Sequence, residues 1–291
     1  MSAAAPGPAD VVLFTTTDAQ SARTGELVRL LASVAQTVKT SGLRVVHYLL
    51  VQRGTVESLG VDIPAFVRVR AISGRVSLSR ARNILLKEAI AEEVLAGSLF
   101  VAFPDDDAWY PEGLLAGIAA RFRADADLDV IASRYASAPT LLTSIAPDRW
   151  LDRPSAGRFI ACVSSNSMFV RAGTALAIGS FDERLGLGAP INGGEDLDYA
   201  LRALTASRGH AALFAAPLVG HRDREPWVRG RYFAGSLAAI LLSCAKRPTL
   251  AFHGLRKLAV GVYLVIRGEL TPLGYLRDVR LALGALSVRP S

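Results

Sequence analysis

The chain has 291 residues, 51% hydrophobic and 20% charged, enough apolar material for one large domain or a domain with an appendage, and no signature of disorder. Its two cysteines, Cys162 and Cys244, are far apart and lack ligand-like spacing, which argues against a disulfide scaffold, a zinc ribbon or an iron–sulfur protein. The formal net charge is +7, and the whole excess lies in residues 222–291, where twelve Lys or Arg face four Asp or Glu. A localised basic excess points to a polyanionic partner such as an anionic lipid surface or a phosphate-bearing substrate.

In chain order, VVLFT (11–15) reads as a strand and is followed by a helix with Leu27, Leu30, Leu31, Val34 and Val38 on one face. LRVVHYLLV (43–51) and FVRVRAI (66–72) are the next strands. SLSRARNILLKEAIAEEVLAG (77–97) starts on serine caps and ends at a glycine, as a helix does. SLFVAF (98–103) is a buried strand that stops at Pro104; a helix over 111–123 leads to the strand LDVIAS (128–133), and AALFAAPLV (211–219) is a further strand. Strands alternating with helices predict a mainly parallel sheet with helices on both faces, whose ligands bind beyond the carboxyl ends of the strands.

After about residue 226 the character changes. RGRYFAGSLAAILLSCAKR, LRKLAVGVYLVIRG and LRDVRLALGAL interleave basic and apolar residues at helical spacing. This predicts a helical segment that either packs on the core with a solvated basic face or touches an anionic membrane surface. The apolar runs 236–245 and 258–266 fall short of the roughly 20 residues a bilayer span needs. The opening MSAAAPGPAD has no basic region followed by an apolar stretch, so no secretory signal is expected. The expected location is cytoplasmic, with peripheral contact at the inner face of the cell membrane as one option. No nucleic-acid-binding motif occurs, so nucleic acid is not an expected partner.

Four motifs carry candidate chemistry. In FPDDDAWYP (103–111), Asp105, Asp106 and Asp107 follow a buried strand; three adjacent carboxylates repel one another unless a cation such as Mg²⁺ or Mn²⁺ joins them, the alternative being an acidic turn. In GLGAPINGGEDLDYALRAL (186–204), a glycine-rich loop delivers Glu195, Asp196 and Asp198 to a helix start whose buried stripe is Leu197, Ala200, Leu201 and Leu204. These acids either cap the helix or work as a base, and the helix dipole is expected to keep them ionised. In VGHRDREPW (219–227), His221 follows a strand and is a candidate metal or phosphate contact. In RVSLSRARN (75–83), Arg80, Arg82 and Asn83 sit near a helix start, where they can position a phosphate or orient the acidic loop.

This ordered set, over roughly residues 9–225, resembles the family 2 glycosyltransferases of the GT-A fold, inverting enzymes that use nucleotide sugars. SLSRARN is similar to the family's Ala-Arg-Asn helix start, FPDDDAWYP to its metal-binding Asp-x-Asp loop, and FDERLGLG with GGEDLDYALRAL to its acceptor loop and Glu-Asp motif. The resemblance implies a Rossmann-like GT-A domain over 1–225 and a basic amphipathic helical tail over 226–291. It implies donor or nucleotide contacts from Thr15, Thr17, Arg80, Asn83, Asp105 and Asp106, and Mn²⁺ or Mg²⁺ held by Asp107, Asp105 and His221. Asp196 is then the catalytic base and Glu195 the acceptor-binding acid, with Gly193, Gly194 and Asn166 on the acceptor side. The implied partners are a nucleoside-diphosphate sugar and a cell-envelope glycan or lipid-linked acceptor.

Two segments depart from the family pattern. FTTTDAQ stands where a Pro-Thr loop is usual, and LLVQRGT puts Gln52 and Arg53 where an acidic residue usually reads the base, so UDP, GDP and dTDP sugars all stay open. The alternatives are a catalytically degenerate binding or assembly protein of the same fold and a nucleotidyltransferase. The latter needs a glycine-rich basic loop after the first strand, for which TTTDAQSARTG is a poor match.

Overall fold

Alternate residues of the first strand enter different cores. Val11 and Leu13 pack on one side and Val12 and Phe14 on the other, because the strand has helices on both of its faces. The computed structural model describes residues 9–142, 149–207, 210–223 and 228–287. The opening segment 1–8 and the 225/226 domain boundary lie outside the described residues.

The strands are β1 (Val11–Asp18), β2 (Val45–Gln52), β3 (Val67–Ile72), β4 (Phe100–Ala102), β5 (Val130–Ala136), β6 (Trp150–Asp152), β7 (Met168–Arg171) and β8 (Ala211–Gly220). They form a sheet in the order β3-β2-β1-β4-β7-β5-β8-β6. β3, β2, β1 and β4 are mutually parallel, as are β5 and β8. β7 runs antiparallel between β4 and β5, and β6 antiparallel on β8, so the mainly parallel sheet carries two reversed strands that the sequence pattern did not reveal. One face is covered by α1 (Thr24–Ser41) and α4 (Leu114–Ala124), with Leu59 of the short α2 (Val56–Leu59) packing on Leu27 and Leu31 of α1, and the other by α3 (Leu78–Ala91), α5 (Ala156–Cys162), α6 (Ala172–Ile178) and α7 (Glu195–Ala206).

Two boundaries differ from expectation. β1 continues to Asp18, so Thr15 and Thr17 are strand residues paired beside Leu49 and Val51 of β2, not loop residues. Threonine suits a pleated strand, and the Thr15 hydroxyl is satisfied by Pro104 O at 3.0 Å. α3 stops at Ala91, ahead of the expected glycine, and irregular turns lead on to Gly97.

The tail is helical and docked. After the short α8 (Val228–Arg231), α9 (Phe233–Cys244), α10 (Ala251–Ile266) and α11 (Pro272–Ser287) share an apolar cluster with Leu185 and Ile191 of the loop before α7. A 3-10 turn at Pro248–Leu250 runs straight into α10, giving one stretch, Pro248–Ile266, of 19 residues and mean hydropathy 1.4. By length and composition it is sufficient to cross a membrane, contrary to the expectation from run lengths, because the helix continues through Arg256 and Lys257. Only 22% of that stretch is buried within the chain.

Candidate active site

The chemistry-bearing residues gather at the carboxyl edge of the parallel strands. β4 leaves the sheet into Phe103, whose ring stacks on Phe14 and meets Phe181 and Tyr199 edge-on, and Asp105–Asp107 follow at once. Trp109 and Gly220 then exchange two backbone hydrogen bonds of 2.9 Å, a bridge that ties the acidic turn to the end of β8. It brings His221 Nε2 to 3.0 Å from Asp107 Oδ1. The amino end of the reversed strand β7 lies at the same edge, because antiparallel pairing puts its start beside the end of β4. It delivers Asn166, which accepts from Asp105 N (2.6 Å) and donates to Asp105 Oδ2 (2.9 Å).

Asp105, Asp107 and His221 each offer one ligand atom, all within 4.8 Å of one another. The residues suit a hard divalent ion on two grounds. Asp107 Oδ1 is buried and makes no regular hydrogen bond. His221 Nδ1–H donates to Arg222 O at 2.8 Å, which aims Nε2 at the carboxylates in the tautomer a metal-binding histidine uses. Burial opposes charge on both Asp107 and His221, but their mutual contact prevails: Asp107, faced also by Arg222 and Arg23, lies below the usual carboxylate range, and His221 lies above the usual imidazole value. Asp106 points elsewhere, accepting from Thr17 Oγ1 (2.8 Å) and Arg23 (3.2 Å); burial nevertheless pushes its pKa up to about 6.

The second acidic motif opens α7. Gly193 and Gly194 have φ of +77° and +84°, and a Cβ on Gly194 would lie 2.2 Å from Gly235 O of α9. These glycines therefore let α9 close on the loop, and their immediate neighbours are Tyr232 and Gly235 of the tail. Asp196 accepts from Leu197 N (2.7 Å) and Ser165 N (3.3 Å). Glu195, the residue before it, is buried. Burial works against the dipole expected to keep these acids ionised: it raises both above the usual carboxylate value, Glu195 to about 7, and the neighbouring Asp196 charge adds to the rise at Glu195.

Arg82 joins the two motifs. It is 1% exposed, donates to Asp105 Oδ1 at 2.9 Å and lies 3.8 Å from Glu195 Oε1. It thus orients the acidic loop, whereas Arg80 is on the exposed side of α3, away from the cluster. Asn83 accepts from Phe181 N (2.7 Å) and donates to Phe181 O and Glu183 (both 3.0 Å), so it pins the loop beyond α6. Thr15 also has internal partners, Pro104 O and His47 Nε2 (2.8 Å). Arg23, Arg222 and Ser165 reach the acids and were not singled out from sequence for these contacts. Gln52 accepts from Val76 N (2.8 Å), and Arg53 pairs with Asp18.

No protein-family model and no curated protein sequence matches the chain. Solved structures do. The chain is similar to S. aureus TarS 1-349, with a TM-score of 0.60 and 14% identity over 95% of this chain and 80% of that one. It is similar to the same protein in complex with UDP-GlcNAc, with a TM-score of 0.58 and 16% identity over 85% and 72%. For the complex with UDP the TM-score is 0.53 and the identity 15% over 80% and 65%. The likeness is one of fold: a mixed α/β sheet flanked by helices, as in the TarS glycosyltransferase fold.

Proposed function

We propose that the chain is an inverting, metal-dependent glycosyltransferase that moves a sugar from a nucleoside-diphosphate sugar to a hydroxyl of a cell-envelope glycan or lipid-linked acceptor. The observation that carries this reading is the convergence of both acidic motifs on Arg82 at the carboxyl edge of the sheet. TarS, with the same fold, was solved with UDP-GlcNAc and with UDP, which makes UDP sugars the first donors to test. Asp105, Asp107 and His221 would hold Mn²⁺ or Mg²⁺. When bound, the ion offsets the negative charge that builds on the departing diphosphate.

In this reading Asp196 takes the proton of the acceptor hydroxyl as its oxygen attacks the anomeric carbon. The bond to the diphosphate oxygen breaks on the opposite side, its electron pair leaving with the nucleoside diphosphate, so the configuration inverts. A carboxylate whose pKa is raised by burial is a stronger base than an ordinary one, which suits this task near neutral pH. Glu195, beside it, holds the acceptor. Residues 1–225 are the catalytic unit and 226–291 a helical appendage, working in the cytoplasm.

The test is thermal stability against UDP, GDP, dTDP and CMP compounds, with and without Mn²⁺. A ligand at about 100 times its Kd stabilises the fold by about 2.7 kcal/mol, a clear shift. The expected result is a metal-dependent shift with one nucleotide class, lost in Asp107→Ala, while Asp196→Asn binds donor and loses transfer. No shift with any nucleotide would favour the binding or assembly protein instead.

A further inference from the structure

The tail carries a surface that the catalytic reading does not use. Of the large apolar side chains left exposed among the described residues, ten of fifteen lie on α10 and α11. On α10 they are Phe252, Leu255, Val262, Tyr263 and Ile266, spaced i, i+3, i+10, i+11 and i+14, which puts them along one stripe of the helix. Phe252, Leu255 and Ile266 are 69%, 67% and 78% exposed, and Leu273 at the start of α11 is 79% exposed. Scattered exposed leucines are ordinary on a protein surface; a continuous apolar stripe is not.

The charge pattern identifies the occupant. Arg256 and Arg267 border the α10 stripe, and Arg280 lies among the exposed leucines of α11. On α11 the acidic residue Asp278 is buried and engaged by Arg277. An apolar stripe with a basic border is complementary to a bilayer whose headgroups are anionic. Along α11, a groove of about 590 Å³ runs between that helix and the loop before α7, lined by Ile191, Leu273, Leu276 and Leu281, with Arg277 and Arg280 among its lining residues. That pairing of an apolar floor with guanidinium groups matches one acyl chain and its phosphate. The opposite side of α10 is committed to the protein: Gly254, Gly261 and Leu264 are buried, and Gly261 abuts Phe233 and Tyr275. Crossing the bilayer would strip those contacts and immerse Arg256 and Lys257 in hydrocarbon, so α10 suits lying flat.

We infer that the exposed face of α10 and α11 is a docking surface for an anionic lipid bilayer, α10 lying in the headgroup plane and the groove beside α11 receiving a lipid chain. The groove is lined by Ile191, and the same loop ends at Glu195, so docking sets the acceptor side of the site near the membrane. The placement of the acceptor side rests on the proposed function; lipid docking itself does not, and its test needs no substrate.

The experiment is flotation of the full chain with vesicles of phosphatidylcholine alone or mixed equally with phosphatidylglycerol. The wild type floats with the mixed vesicles, and rising salt releases it. Ile266→Glu with Leu273→Glu, and separately Arg256→Glu with Arg280→Glu, each lower partitioning at least about tenfold, the order of two or more lost surface contacts. Leu176→Glu, at an exposed side chain of α6 outside the tail, floats as the wild type does. Circular dichroism and thermal melts of all variants show that they are folded. Equal flotation of wild type and tail variants overturns the proposal. So does resistance to alkaline carbonate extraction, which would mean a spanning helix. Absence of flotation together with self-association that Leu273→Glu dissolves assigns the face to a second copy of the chain and overturns it as well.

Discussion

Arg82→Met tests the link between the two acidic motifs. The guanidinium lies 3.8 Å from Glu195 Oε1, inside a site where Glu195 is 7% exposed. At that separation a unit charge pair is worth ~1 kcal/mol at the dielectric constant of water and ~4 kcal/mol at an effective value of ~20. Removing the cation therefore raises the pKa of the Glu195–Asp196 pair by a further ~1–3 units. The sign follows from proton binding. An acid whose folded pKa, about 7, exceeds its unfolded value, 4.5, holds extra protons in the folded state, so stability falls as pH rises through that window. In the wild type the fall ends near the pKa of about 7; in Arg82→Met it continues upward. Between about pH 6 and about pH 9 the variant should lose ~1–3 kcal/mol more than the wild type, read by urea unfolding at each pH. The acidic limb of the transfer rate should move up by the same number of pH units. Parallel stability curves, offset but of equal slope, would refute the coupling.

Four further substitutions probe the frame. Gly194→Ala adds a Cβ 2.2 Å from Gly235 O at a φ of +84° and should cost ~2–5 kcal/mol by urea unfolding, from left-handed strain plus overpacking. Gly173→Ala, on an exposed turn of α6 with nothing within 4 Å, should be neutral or slightly stabilising in the same assay. Asn83→Ala strands the buried N–H and C=O of Phe181 and should cost ~2–4 kcal/mol. Asn166→Leu removes two of the bonds that hold Asp105, leaving the one from Arg82, and should weaken Mn²⁺ affinity ~10–100-fold by calorimetry, with the fold intact by circular dichroism.

What was legible in the sequence was whatever has a short period or follows a strand. Leu27, Leu30, Leu31 and Val34 of α1 are buried on one stripe, as are Leu197, Ala200, Leu201 and Leu204 of α7, as their spacing required. β7 was not legible: Met168–Arg171 is too short for alternation to register, and its reversed pairing is decided by two strands distant in sequence. Choosing between Arg80 and Arg82 needed only the helical phase. Ser79, Arg82, Asn83 and Leu86 are buried at i, i+3, i+4 and i+7, and Arg80 falls on the other side. Asn166 and Arg23 had no local signal, since they meet Asp105 and Asp106 across 61 and 83 residues of chain.

The acids of α7 illustrate where local reasoning stops. A helix dipole is carried by the turn in which the residues sit, so the expectation of ionised carboxylates could be read from GGEDLDY alone. Desolvation has no such address. It arises because Gly194 lets α9 pack against the turn; the neighbouring Asp196 charge adds to it at Glu195, while Arg82 and the Ser165 amide oppose it. The dipole is worth ~0.3–1 kcal/mol at a surface site, whereas a fully buried carboxyl shifts by up to ~3–5 pKa units. The tertiary contribution is the larger, and it reverses the sign. The tail that packs on this turn through Gly235 thus has a chemical consequence as well as a mechanical one: by burying the turn it helps raise the pKa of Glu195 to about 7 and that of Asp196 above the usual carboxylate value.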